Sequence, residues 1–145
     1  MYRIGKEEIR ELEKVIDARA LFKVNDSLQE SKCVEEELSR LFECKHPIFM
    51  SSGHAALTSA LVAMGIGPGD QVIVPAYTYI ATAMAVVAAG AIPVIAEVNE
   101  TLTISPEDIE AKITEHTKAI VPVHIQGFPC NMDAIMEIAQ KHNLF

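Results

Sequence analysis

The chain has 145 residues and carries 12 Lys and Arg against 20 Asp and Glu, a formal charge of −8, which argues against a nucleic-acid binder held by counterion release. Half of the residues are hydrophobic and 22% are charged, the balance of a globular chain with a core rather than a disordered one. Three cysteines, Cys33, Cys44 and Cys130, form no C-x-x-C pair and accompany no signal peptide, so the expectation is a cytoplasmic protein without a disulfide framework.

Charge is unevenly placed. Residues 1–45 hold nine basic and eleven acidic side chains, whereas within 46–96 only Asp70 is formally charged. A membrane span does not explain that apolar stretch, because Pro75, Gly90 and Pro93 interrupt it and its runs are short and β-rich; burial on both faces of a sheet does. In chain order, the first 45 residues read as amphipathic helices, with Ile9, Leu12, Val15 and Ile16 on one stripe and Val34, Leu38, Leu41 and Phe42 on another. Between them Leu21 to Gln29 reads as loop, and Glu35-Glu36-Glu37 as a solvated helix face. From residue 46, β-type runs (47–50, 71–74, 92–98, 119–125) alternate with helical ones (54–64, 79–89, 106–114, 132–142), four β-α units that imply a mostly parallel sheet. The expected fold class is α/β, with a helical segment at 1–45 and an α/β domain at 46–145.

Punctuation supports those boundaries. Ser105-Pro106-Glu107-Asp108 places a capping serine, a proline at the first helical position and an acid at the third, and Asn131 stands ready to cap the last helix. Gly65-Ile66-Gly67-Pro68-Gly69-Asp70 resembles a dinucleotide fingerprint in composition, yet it follows a helix and precedes a strand, the reverse of the order that cradles a pyrophosphate, so it reads as a turn. Phe145 stands where a further strand would begin, and a domain seldom stops there, so the expectation is the N-terminal part of a larger α/β protein.

Two segments have the chemistry of a ligand site. Ser51-Ser52-Gly53-His54-Ala55-Ala56 lies at a strand end and opens a helix, so the amides of Gly53, His54 and Ala55 point outward at the positive end of the helix dipole, an arrangement suited to phosphate; an ordinary serine-capped helix is the alternative. Pro75-Ala76-Tyr77-Thr78-Tyr79-Ile80-Ala81-Thr82 ends the next strand, where ligands gather in open α/β sheets, and Tyr79 is the candidate to stack on a flat heterocycle, with Tyr77 as the alternative and a core role open for both. His124 ends a later strand on the same side, either lining the pocket or hydrogen-bonded in the core. Cys44 with His46 lacks further ligands for zinc, and Cys130 reads as a small buried residue. No metal site is expected.

The run Ser51 to Leu57, then Gly67 to Pro75, then Tyr77-Thr78-Tyr79-Ile80-Ala81-Thr82, and finally Pro122-Val123-His124 with Met132-Asp133, resembles the DegT/DnrJ/StrS-type sugar aminotransferases over nearly the whole chain. The resemblance implies a fold-type I enzyme dependent on pyridoxal 5'-phosphate (PLP). Such an enzyme moves an amine from glutamate or glutamine to a keto sugar, nucleotide-linked, or to a cyclitol, as a homodimer. It places the phosphate-binding turn on Gly53, His54 and Ala55, and the ring-stacking aromatic on Tyr79. One departure stands out, since the residue after the glycine is commonly Thr or Ser in the family and is His54 here, leaving its side-chain role open. The family's carboxylate for the pyridine nitrogen falls on the strand starting at Phe145, and its cofactor-anchoring lysine farther on. Lys112 and Lys141 lie on polar helix faces and Lys118 at a strand entrance, so no catalytic residue is assigned within 1–145 and the chain alone is expected to be inactive. Three alternatives accompany this reading: a non-catalytic module that binds a phosphorylated ligand or a partner, a split enzyme completed by a C-terminal chain, and an incomplete gene product with no independent role.

Overall fold

The computed structural model describes residues 4–25 and 27–145; the Asp26 position of the expected 21–29 loop lies outside them, as do residues 1–3 of the helical segment. The chain divides into two compact units, Met1–Phe49 and Met50–Phe145.

In the first unit α1 (Lys6–Asp17) and α2 (Glu30–Leu41) flank a single 3-10 turn, Lys23–Asn25, inside the expected loop. The Gly5 amide donates to the Glu8 carboxylate at 2.6 Å, which starts α1 without a capping side chain. Neither helix buries a residue. Ile9, Leu12, Ile16, Leu41 and Phe42 all stay exposed, so the apolar stripes read from the sequence are present but uncovered in this chain. Glu35 ties the unit together: its carboxylate accepts from Lys23 Nζ and, at 2.9 Å, from the amide of Phe49. The expected strand at 47–50 does not form. Pro47 has no N–H to donate to a ladder, and the Phe49 amide is spent on Glu35 rather than on a strand.

The second unit contains α3 (Gly53–Ala63), β1 (Gln71–Pro75), α4 (Ala81–Ala88), β2 (Ile92–Ala96), α5 (Pro106–Lys112), β3 (Thr117–Ile120) and α6 (Met132–Lys141). Its sheet has the order β2-β1-β3 with both pairings parallel, so β1 is central. Alternation along β1 splits the core. Val72 and Val74 join Leu61, Ala85 and Val86 on one face, while Ile73 joins Ile104, Ile109 and Ile135 on the other. Burial of both faces explains why the 72–75 run is continuously apolar.

Local chemistry sets the joints. Asp70, the lone charge of 46–96, accepts from the Gly67 amide at 3.0 Å and staples the turn into β1, in which Gly69 takes φ 93°. Gly90, at φ 83°, lies against Pro68, and a Cβ there would come within 3.3 Å of that ring. Ser105 accepts from the Asp108 amide at 3.3 Å with Pro106 at the first helical position, and Asn131 accepts from Ala134 at 3.3 Å, as the sequence leads one to expect. Two strand ends differ from expectation. β2 stops at Ala96 because residues 97–105 fold back on themselves, pairing Val98 with Ile104. β3 begins earlier and ends at Ile120; the Val121 amide still donates to Ile73, but Pro122 offers no N–H to continue the ladder. On the outer side of β3 the Phe145 amide donates to Lys118 and its carbonyl accepts from Ile120, both at 2.9 Å, the bonding pattern of a parallel neighbour.

Candidate functional site

The carboxyl ends of the parallel strands carry the segments singled out in the sequence, and three of them meet in one cleft of about 900 Å³. Gly53 and His54 line it from the start of α3, Thr78 and Tyr79 from the segment after β1, and Val123 and His124 from the segment after β3. Ala55 does not line it.

Ser52 has extended backbone (φ −161°, ψ 159°), which brings its Oγ over the first turn of α3, where it accepts from the Ala55 amide at 3.1 Å. Of the three amides expected to face a ligand, that of Ala55 is therefore already bonded, while those of Gly53 and His54 meet no protein acceptor among the described residues. A Cβ built on Gly53 would meet nothing within 4 Å, so the surface beside the start of α3 is open there. The serine-capped helix is what the structure shows, and it leaves two donors of the first turn over. The Ser52 hydroxyl also retains its own proton, because it accepts from Ala55 rather than donating. His54 is exposed beside them.

Tyr79 reaches the cleft because the turn before α4 is fixed at two points. Its carbonyl accepts from the Thr82 amide at 3.0 Å, and the Thr78 and Thr82 hydroxyls lie 2.8 Å apart. Tyr79 is 77% exposed and lines the cleft; Tyr77, 48% exposed, does not. Neither ring is a core aromatic. His124 is also exposed, so its core reading gives way to the pocket one. Gln126, which sequence reasoning passed over, joins the lining because the 3-10 turn Ile125–Gly127 gives it a φ of 53°; nothing in its sequence neighbourhood signals that conformation.

The lysines stand elsewhere. Lys112 Nζ donates to the Ile95 carbonyl at 2.7 Å and pairs with Asp108 at 2.8 Å, Lys141 pairs with Glu110, and Lys118 is exposed on β3. No Asp, Glu, Lys or Arg lines the cleft among the described residues. What the cleft offers is a set of donors, two free amides and a hydroxyl, facing apolar walls and one exposed aromatic face. That set suits a ligand with an anionic group at one end and a flat ring at the other. Among the described residues no group of three or more His, Cys, Asp or Glu is placed to hold a metal ion, and no helix is long and apolar enough to cross a membrane.

Known proteins resemble this chain over nearly its whole length. The sequence is 44% identical over 143 residues to the spore coat polysaccharide biosynthesis protein SpsC of Bacillus subtilis, covering 98% of this chain and 36% of that protein. It is 52% identical over 101 residues to GDP-perosamine synthase of Caulobacter vibrioides, covering 69% of this chain and 27% of that protein. An aminotransferase from Psychrobacter cryohalolentis superposes with a TM-score of 0.93 at 40% identity, over 99% of this chain and 36% of its own. The solved structures that match over nearly the whole chain include PLP and PMP forms. The chain thus spans about a third of the length of such relatives. Residues 2–145 match the model of the DegT/DnrJ/EryC1/StrS aminotransferase family, to which this chain belongs.

Proposed function

We propose that residues 1–145 supply the phosphate and ring subsites of a PLP-dependent sugar aminotransferase, which transfers an amine from glutamate or glutamine to a nucleotide-linked keto sugar or a cyclitol. Bound PLP supplies an electron sink for the bonds at the carbon that carries the amine. The residues in hand fit that group. Gly53 and His54 direct free amides at its phosphate from the positive end of α3. Ala55 completes the turn, its amide shared with Ser52, whose hydroxyl proton remains available to the same anion. Tyr79, exposed in the cleft, would hold the ring by stacking on it.

The observation that carries this reading is the meeting, in a single cleft, of two unpaired amides and an exposed tyrosine ring from separate segments of a sugar-aminotransferase family chain. On this reading none of the residues 1–145 serves as the ring-nitrogen carboxylate or the anchoring lysine, so these residues by themselves do not transaminate. The complete enzyme works as a cytoplasmic homodimer.

Binding of 4-deoxypyridoxine 5-phosphate, which lacks the aldehyde and so makes no covalent adducts with surface lysines, tests the subsites directly. The chain is expected to bind it saturably, with affinity lost in Gly53→Val, whose side chain occupies the open surface beside the start of α3, and weakened in Tyr79→Ala. Saturable binding indifferent to both changes would overturn the assignment and favour a phosphate-ligand module with a site elsewhere. For the reaction, amine formation on a nucleotide-linked keto sugar is expected from a longer protein containing these residues, and none from the chain alone.

A further inference from the structure

One oriented polar group of the cleft is used by neither the phosphate turn nor the ring contact. His124 stands where Pro122 has ended the sheet ladder. The chain then reverses through Ile125–Gly127, with Gln126 at φ 53° and Gly127 at φ 86°, and returns so that Cys130 meets residues 123 and 124. Two bonds fasten this return. The Cys130 amide donates to His124 Nδ1 at 3.0 Å, and Cys130 Sγ donates to the Val123 carbonyl at 3.2 Å. Cys130 is buried, so the clip is anchored in the core.

An imidazole nitrogen that accepts from a backbone amide has its lone pair engaged, and the proton of the neutral ring then sits on the other nitrogen. Nε2 therefore carries the hydrogen, on the edge of the ring away from Cys130, and it meets no protein acceptor among the described residues. No carboxylate lines the cleft with His124 among the described residues, so an anionic oxygen of a ligand meets no charged protein competitor for this hydrogen. Its orientation is fixed before any ligand arrives, which lowers the entropy lost on binding.

We infer that His124, held by the Cys130 amide, is a positioning residue that donates its Nε2 hydrogen to an anionic oxygen of the cofactor, on the phosphate or on the ring. This inference rests on the cofactor reading above.

Histidine-ring nitrogen NMR of the labelled 145-residue chain tests it without any activity. The expected free-state spectrum has His124 protonated at Nε2 and bare at Nδ1, and 4-deoxypyridoxine 5-phosphate is expected to move the Nε2 signal. Inorganic phosphate moves it as well if the phosphate is the acceptor, and pyridoxine, which lacks phosphate, does so if the ring oxygen is. His124→Phe is expected to weaken binding of the phosphorylated probe by about tenfold, the loss of one hydrogen bond to a charged acceptor, and His124→Gln, which places an N–H near the Nε2 position, to recover most of that loss. A proton found on Nδ1 overturns the inference. So do His124 signals that stay still while those of Gly53 and Tyr79 move, or a folded His124→Phe that binds as the parent does, and all three leave the cofactor reading standing. Silence at Gly53, Tyr79 and His124 together overturns both.

Discussion

Ser52 shows how one side chain serves two ends. Its Oγ satisfies the third amide of α3, and by capping the helix it keeps the first two amides pointing at the cleft. Ser52→Ala is expected to cost about 1 kcal/mol of stability, read as a lower urea midpoint with unchanged slope, and to weaken binding of the phosphorylated probe as the first turn frays. The serine and the glycine after it were legible in the sequence as a helix start at a strand end. That Ala55 would be the occupied amide was not, because the choice among three donors depends on the backbone angles of Ser52. Asp108 makes a second case at this scale. Its carboxylate accepts from Lys112 Nζ and, at 2.7 Å, from the Glu97 amide, and the lysine and the amide together hold its pKa below the ordinary 3.8. A depressed native value means stability that is fully present above the ordinary pKa and is lost as pH falls through the native one. Asp108→Asn is accordingly expected to unfold at lower denaturant than the parent at pH 7, with the difference shrinking below pH 3.8 as the parent's carboxylate protonates.

Elements were most legible where periodicity and punctuation agreed. The helices at α5 and α6 have the caps that Ser105 and Asn131 announce, and β1 has the buried alternation that its apolar run implies. Strand existence failed where only composition supported it. Residues 47–50 are apolar enough, but a strand needs a neighbour to accept its amides, and Phe49 finds a carboxylate instead. Likewise the sequence read β3 as running to 125, while Pro122 removes the donor that the ladder needs there. β1 is the element on which the second unit depends, since Ile73 is wholly buried between β2 and β3 and packs with Ile109 and Ile135. Ile73→Ala is expected to cost about 2–5 kcal/mol, and Ile73→Val about 0.5–1.5 kcal/mol, both measured by equilibrium unfolding.

At the scale of the whole chain, the two units differ in how their helices are held. α1 and α2 bury no residue, whereas the second unit wraps a sheet whose central strand is closed on both faces. Native-state hydrogen exchange is expected to follow that contrast, with the amides of 72–74 slowest and those of α1 and α2 fastest; equal protection in the two units would refute it. Sequence by itself determined the α/β class, the caps, the turn at Gly67–Asp70 and the family, because each rests on short-range patterns of polarity, on the special backbones of Gly and Pro, or on motif order. Tertiary structure settled what the sequence left open between Tyr79 and Tyr77, since only Tyr79 lines the cleft, and it alone decided that the Cys130 amide occupies Nδ1 of His124 and that Gln126 belongs to the lining. The reason is physical: a side chain's direction and its free hydrogen-bonding edge are set by partners distant in the chain, such as Cys130 for His124, and no local pattern encodes which partner arrives.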